Sequence, residues 1–223
     1  MRFYIPILVV LFSVGKAQAY QSVLETGDIL PNDYESNFIL ETQVVTTGDD
    51  GFNLRGHFDQ RVNESSQLRF TLGTGVNNLQ AAAHYKFIPI PDFENQPAIG
   101  LIAGVTYASL DGANFLGLQA KAIVSKLFES IHGPFTPYAA ITTGIGISQN
   151  FDGNPSQLNI GTKFKSHKLP NYQFYAEIGS EIADSFSYFS LGLEWQFEVS
   201  KIKEKIKDSF PPSQEEGKVL IEN

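Results

Sequence analysis

The feature that most constrains the fold of this chain is a strict alternation of apolar and polar residues, seen clearly over residues 52–62, FNLRGHFDQRV. Successive side chains of a β-strand point to opposite faces, so this stretch has one apolar face and one charged face. The apolar face carries Phe52, Leu54, Gly56, Phe58 and Val62, and the charged face carries Arg55, His57, Asp59 and Arg61. The pattern predicts a β-strand that separates two different environments.

The same period of two residues recurs in ten segments, which are separated by turns rich in Gly, Asp, Asn and Pro. The predicted strands span residues 37–46, 52–62, 67–73, 78–88, 97–109, 114–128, 136–148, 156–166, 172–182 and 187–199. Their lengths cluster around ten residues, which is what a tilted strand needs to cross the apolar core of a bilayer. An even number of strands brings both ends of a closed barrel to one side. Eight or twelve strands are also compatible with the pattern.

The two ends of the chain differ from this central region. Residues 1–19 combine Arg2, a run of about a dozen apolar residues and an Ala-Gln-Ala site, which together are typical of a secretory signal peptide. Residues 20–36 are polar and are predicted to be an N-terminal extension, whereas residues 200–223 are predicted to be a tail that is partly helical or disordered. No later segment has enough consecutive apolar residues for a transmembrane helix.

Composition excludes several classes of function. The chain has no Cys, so it has neither disulfides nor thiolate metal sites. Its formal net charge is −8, and loss of Arg2 and Lys16 with the signal peptide leaves 14 basic and 24 acidic residues. That balance disfavours a nucleic acid as partner, because nucleic acids are held by basic contacts to phosphates. No motif in the sequence predicts a cofactor or a metal site.

Alternation alone leaves open which face is inside. A soluble lipocalin-like barrel that binds an apolar ligand would point its apolar face inward, whereas a membrane barrel would point that face at lipid. Nearly every predicted strand has such a face, and together they would overfill the interior of a barrel of this size. Aromatic residues lie near the ends of the apolar rows, and many glycines lie on the polar face, where they relieve crowding in a narrow lumen. These features favour the membrane barrel.

The signal peptide, the ten amphipathic strands over residues 37–199 and the aromatic last strand SLGLEWQFEV together resemble the small bacterial outer-membrane β-barrel proteins. The resemblance implies an all-β fold, a closed antiparallel transmembrane β-barrel with both termini in the periplasm. It also implies the outer membrane as location, with lipid and the outer-membrane assembly machinery as partners. Members of that family usually end at the last strand, whereas 24 residues follow it here, so the tail is expected to be periplasmic. We expect a monomer.

The polar face predicts a network of charges in the lumen. Its members are Glu41, Arg55, His57, Asp59, Arg61, Arg69, His84, Lys86, Lys121, Lys163, Glu177, Glu181, Glu194 and Glu198. When the barrel closes, strands nine, ten and one form an acidic wall, and strands two, three, four and six form a largely basic wall. Two interpretations follow: paired charges that fill the lumen of a structural scaffold, or a narrow pore with a transverse field for small polar solutes.

An enzymatic function is the weakest hypothesis. His57, Asp59 and His84 could converge on the lumen, where a His–Asp pair can activate water, as in an outer-membrane hydrolase. The predicted outer turns supply several aspartates but no His or Ser partner for them, and turn formation accounts for those aspartates. We therefore expect no enzymatic activity.

Overall fold

The computed structural model describes residues 22–31, 34–47, 51–76, 78–110, 113–146 and 154–197. The strands are β1 (Ser36–Val45), β2 (Gly51–Asn63), β3 (Ser66–Gly75), β4 (Leu79–Ile90), β5 (Ala98–Leu110), β6 (Ala113–Ser125), β7 (Phe135–Gly146), β8 (Ser156–Lys165), β9 (Tyr172–Ala183) and β10 (Tyr188–Phe197). Each strand pairs antiparallel with its neighbours in sequence, and β10 pairs with β1 to close a barrel. The all-β fold and the closed barrel of ten strands are thus confirmed. In the part of the chain described here, no helix is long and apolar enough to span a membrane.

The observed strand ends differ from the predicted ones by no more than a few residues, and the largest difference concerns β6. This strand was predicted to continue to Phe128, but it ends at Ser125. The backbone N–H of Leu127 donates to a carboxylate oxygen of Asp92 at 2.7 Å, so it leaves the strand ladder. A side chain from the connection between β4 and β5 therefore ends the strand, and no local pattern in β6 indicates this.

The two faces of the barrel have opposite character. Along β2, exposed and buried residues alternate: Leu54 and Phe58 are each 41% exposed, whereas Arg55 is 2% exposed. Other strands show the same alternation, with polar residues inside and large apolar residues outside. The interior of this barrel is therefore its charged side.

Glycines inside the barrel make room for tyrosine rings on the neighbouring strands. Gly179 on β9 is paired in register with Tyr188 on β10, and a Cβ atom at position 179 would lie 2.1 Å from that ring. Gly161 on β8 is paired with Tyr138 on β7, and a Cβ atom there would lie 2.4 Å from the ring. These close approaches show that both tyrosine rings pack directly against the backbone of the facing strand.

Residues 22–30, called the inserted segment below, run inside the barrel. Val23 and Leu24 are fully buried, and Leu30 is 7% exposed at the opening through which the chain leaves to reach β1. The opening where β1 starts and β10 ends is called the terminal end. The sequence predicted residues 20–36 to be a periplasmic extension, and the inserted segment lies in the lumen instead. It does so because the barrel wall supplies partners for its backbone and an apolar site for its two aliphatic side chains.

Candidate functional site

Most of the charged residues predicted for the lumen are buried inside the barrel. These are Glu41, Arg55, His57, Asp59, Arg69, His84, Lys86, Lys121, Glu177 and Glu194. Lys163 is half-buried, and its ammonium group pairs with the carboxylate of Asp28 on the inserted segment at 2.5 Å.

Besides Lys163, three predicted residues are not in this buried set. Arg61 lies where the pairing of β2 with β3 shifts register, and its Nε donates to the carbonyl of Asn63 at 3.2 Å. Glu181 is exposed next to a register shift between β8 and β9. Both are paired in register with a buried residue of the neighbouring strand, Arg61 with Gln67 and Glu181 with Gln157, so they keep the inward phase. They are less buried because each lies two residues from the end of its strand. Glu198 lies outside the described residues.

Glu41 on β1 is the centre of a polar cluster. It accepts hydrogen bonds from the hydroxyl of Ser22 at 2.6 Å, from Nε2 of His57 at 2.8 Å and from the hydroxyl of Ser190. The guanidinium of Arg55 lies 3.4 Å from the same carboxylate. Ser22 belongs to the inserted segment, so this cluster joins that segment to three strands of the wall. A fully buried carboxylate needs such partners to offset its loss of hydration.

Arg69 on β3 holds the middle of the inserted segment. Its guanidinium makes two hydrogen bonds to the carboxylate of Asp59, at 2.6 and 2.7 Å. The remaining nitrogen pairs with Glu25 at 3.0 Å and donates to the carbonyls of Val23 at 2.9 Å and Leu24 at 3.3 Å. The planar, five-donor guanidinium suits this role, because one side can be fixed to the wall while the other binds the segment.

Glu177 on β9 binds the backbone of the inserted segment from the other side. Its two carboxylate oxygens accept the N–H groups of Val23 at 2.8 Å and Leu24 at 2.9 Å. Leu24 has a φ of +36°, and successive N–H groups near such a left-handed residue can point at one anion. The hydroxyls of Tyr138, at 2.7 Å, and Tyr188 also donate to Glu177.

The inserted segment also contacts the wall through Gly27 and three lysines. The N–H of Gly27 donates to the hydroxyl of Ser125 at 2.8 Å. The lysine contacts are Lys86 with Glu25 and with the carbonyl of Thr26 at 3.4 Å, Lys121 with the carbonyl of Ser22 at 3.5 Å, and Lys163 with Asp28. The segment is therefore held mainly by side chains of the wall.

The lumen also contains an apolar layer that the sequence analysis missed. Val23 and Leu24 pack in one buried cluster with Ile39, Ile102, Ile123, Tyr138, Ala140 and Tyr175. Ile39 follows the inward phase of β1, two residues before Glu41, and this phase was the available signal. Inward isoleucines in a polar lumen need an apolar partner, and the inserted segment supplies it.

The acidic and basic residues of the wall are concentrated on different strands. Glu41, Glu177 and Glu194 come from the adjacent strands β1, β9 and β10. Four basic residues come from β2, β3, β4 and β6, namely Arg55, Arg69, Lys86 and Lys121. The division is incomplete, because Asp59 lies on β2 and Lys163 lies on β8, next to β9. Within the inserted segment, the N–H groups of Val23 and Leu24 are directed at Glu177. The carbonyls of Val23 and Thr26 are directed at Arg69 and Lys86.

Glu25 of the inserted segment is held as an anion. Burial raises the pKa of its carboxyl group, but attraction by Arg69, Lys86 and Lys121 outweighs burial and lowers the pKa to about 2. The charge of Glu25 at neutral pH therefore contributes to the docking of the segment.

Two small voids remain beside the inserted segment. One, of about 10 Å³, borders Ser22, His84 and Lys121, and a space of this size holds about one water molecule. The other, of about 70 Å³, lies near the terminal end beside Asp28 and Lys163. The second void is large enough for several water molecules.

Two of the three residues considered for hydrolysis, His57 and Asp59, are engaged in other contacts. His57 contacts Glu41 and Thr71, and Asp59 is paired with Arg69, so the hypothesised His57–Asp59 pair does not form. His84 is buried, and neither of its ring nitrogens has a hydrogen-bond partner among the described residues. Within the same residues, no group of three or more His, Asp or Glu side chains is placed to hold a metal ion.

No protein-family model matches the sequence, and no curated protein matches it. Among solved structures, the barrel is similar to an outer membrane channel from Pseudomonas putida F1, with a TM-score of 0.41 and 10% sequence identity. The similarity covers 76% of this chain and 100% of that chain. A TM-score of this size is too low to support an inference, so the function is argued below from the geometry of the barrel itself.

Proposed function

We propose that this protein is a β-barrel of the bacterial outer membrane, with a lumen that its own N-terminal segment holds closed. In this state it acts as a structural scaffold with a charge-filled interior. The distribution of charge between the two faces of the barrel supports this proposal more than any other observation.

The outward face has the character of a surface that contacts lipid. Leu72, Leu101, Ile160 and Ile178 lie on four different strands and are 54–64% exposed. Soluble monomers rarely expose apolar surface that continues around the molecule. A soluble lipocalin-like barrel would have the opposite arrangement, with an apolar interior for its ligand. The interior of this barrel instead contains ten buried strand residues that are Asp, Glu, His, Lys or Arg. The geometry therefore favours lipid outside and a polar lumen.

An aromatic cluster near the terminal end also supports a barrel whose outer face contacts lipid. Trp195 lies between Phe38 and Tyr172, with ring centroids 6.0 Å apart in both pairs. These residues lie near the ends of β10, β1 and β9, where a membrane barrel carries an aromatic girdle at the interface. The strands of 10 to 13 residues are long enough to cross a bilayer core at a tilt.

Two arginine substitutions on the outward face of β5 test this proposal. Val105 is near the middle of the strand and 47% exposed, whereas Ile99 is near its end and 41% exposed. In a membrane barrel, Val105→Arg should reduce the free energy of unfolding by about 2–4 kcal/mol and Ile99→Arg by about 0–1 kcal/mol. In a soluble barrel both are surface changes and should each cost about 0.5 kcal/mol or less. Denaturant unfolding in lipid vesicles measures the difference.

Electrophoresis of the membrane fraction provides an independent check. A folded barrel should migrate differently in detergent gels before and after boiling, because its closed ladder resists the detergent until it is heated. Recovery of the chain in the aqueous phase without detergent, together with equal effects of the two arginine variants, would contradict the proposal.

A further inference from the structure

The inserted segment is bound in the lumen but is not part of the barrel wall. Among the described residues, positions 22–30 make no backbone–backbone hydrogen bond with a strand, and their backbone groups bond to side chains instead. The ladder between the ten strands is complete without them, since β1 pairs directly with both β2 and β10. Withdrawal of the segment would therefore break contacts inside the lumen and leave the closed sheet intact.

Withdrawal of the segment would affect the acidic residues and the lysines of the wall differently, because within the part of the chain described here only the acidic residues of these two groups keep hydrogen-bond or ion-pair partners. The acidic residues keep partners on the wall: Glu41 keeps Arg55, Glu177 keeps the hydroxyls of Tyr138 and Tyr188, and Glu194 keeps the hydroxyl of Tyr175 at 2.6 Å. The ammonium groups of Lys86, Lys121 and Lys163 have their hydrogen bonds and ion pairs, within the described residues, with the inserted segment. These lysines lie on β4, β6 and β8 and would all face the vacated space.

Withdrawal of the segment also makes the net charge of the lumen more positive. The segment contributes two carboxylates, Glu25 and Asp28, and both pair with lysines or arginines of the wall. Without them, the described lumen wall has five Lys and Arg residues against four Asp and Glu residues: Arg55, Arg69, Lys86, Lys121 and Lys163 against Glu41, Asp59, Glu177 and Glu194. Unpaired cations in a narrow pore attract anions and repel cations.

From these observations, and resting on the membrane barrel proposed above, we propose that residues 22–30 are a displaceable gate and that the opened lumen is a pore selective for small anions. The segment closes the pore by satisfying the same lysines that an anion in transit would contact. Opening is a transfer of the segment out of the lumen, and the void it leaves has the cross-section of a peptide chain.

A disulfide between the segment and the wall tests the gate. A Cβ atom at Gly27 would lie 3.0 Å from the Oγ of Ser125 and 2.9 Å from the Cβ of Ala98. In a disulfide with an S–S bond of about 2.05 Å, the Cβ of one cysteine lies about 3 Å from the sulfur of the other. Gly27→Cys with Ser125→Cys, combined with Ala98→Gly to remove the close methyl group, should therefore lock the segment in place. The natural chain has no Cys, so the two introduced cysteines can form a disulfide only with each other within the chain.

Planar-bilayer recordings in potassium chloride provide the measurement. We expect the oxidised lock to lose conductance steps and the same protein to regain them after reduction. The double variant Glu25→Gln with Asp28→Asn should increase the open fraction several-fold, because it removes both carboxylates of the segment. The matched control is Glu35→Gln, which removes an exposed carboxylate outside the lumen and should behave like the natural chain.

Selectivity is measured from the reversal potential in a salt gradient. In the Glu25→Gln with Asp28→Asn variant, the reversal potential should lie towards the chloride equilibrium potential. Addition of Lys121→Gln to that variant should reduce its preference for anions. A cation preference would overturn the anion assignment. Equal conductance before and after reduction of the lock, or silence of the double variant, would overturn the gate. The shift of each variant on boiling shows separately that the barrel is folded, so failure of the gate is distinct from failure of the membrane barrel.

Discussion

Glu177 is the residue that gives the inserted segment its conformation. Its carboxylate accepts two successive backbone N–H groups, and Leu24 takes a left-handed φ of +36° at that point. A leucine in this region of φ is uncommon, because its Cβ crowds the backbone. The contacts with Glu177 and the burial of the leucine side chain stabilise this backbone conformation.

Protonation of Glu25 should open the gate. Its carboxylate faces Arg69 of β3, His84 and Lys86 of β4 and Lys121 of β6, and its pKa is lowered from 4.5 to about 2. A group with a lowered pKa stabilises the docked state above its ordinary pKa, and this contribution is lost as the pH falls from about 4.5 towards 2. We expect the open fraction in bilayer recordings to rise over that window.

The control for this pH dependence is Glu25→Gln, which has no proton to gain at position 25. Other carboxylates of the lumen titrate in both proteins, so the difference between them reports Glu25. The variant should open more often at neutral pH and respond less to acid. An identical acid response in the two proteins would show that protonation of Glu25 does not open the lumen.

At the scale of the strands, the pairing of glycine with tyrosine sets how closely β9 and β10 approach. Gly179→Val should destabilise the barrel by about 1–3 kcal/mol, because the new side chain would overlap the ring of Tyr188. Ser180→Val is the matched control, since it places the same side chain on the exposed face of the same strand. Denaturant unfolding followed by tryptophan fluorescence measures both. Equal effects of the two valines would contradict the close packing described here.

Strand ends were predictable where turns are local and less so where distant groups intervene. The turn between β1 and β2 follows from its Gly and Asp residues, and both strand ends there lie within one residue of the prediction. The end of β6 depends on Asp92, which lies 35 positions from Leu127 in the chain. The exposure of Arg61 and Glu181 reflects their position two residues from the ends of β2 and β9, which alternation alone does not describe.

For the molecule as a whole, the wall and its contents are held by different interactions. The wall is a closed backbone ladder, whereas the inserted segment is held by side chains. Limited proteolysis of the Glu25→Gln with Asp28→Asn variant should therefore remove residues around 22–30 several-fold faster than in the natural chain. The strand region 36–197 should remain resistant and keep its shift on boiling. Mass spectrometry of the resistant fragment measures this, and loss of the whole barrel at the same rate would contradict the separation.

Much of the lumen could be predicted, but its occupant could not. The residues of the polar face were identified because a strand alternates with a period of two, and Glu41, Arg55 and Arg69 all lie inside. The docking of Val23 on Glu177 joins residues 154 positions apart, and no local pattern encodes such a contact. In the sequence, the apolar layer around Ile39 corresponds only to isolated apolar residues at inward positions of otherwise polar strand faces.

The sequence by itself predicted ten strands and determined their alternation, because both depend on periodicity and on turns between neighbours in the chain, and the pairing of β1 with β10 then closed the ring. The tertiary structure alone decided what fills the barrel. Closure of the ring brings β9 opposite β4, and only then do Glu177 on one side and Lys86 on the other lie close enough to bind the same segment. Several of the charged residues that alternation predicted for the lumen thus bind a segment of nine residues from the N-terminal part of the chain.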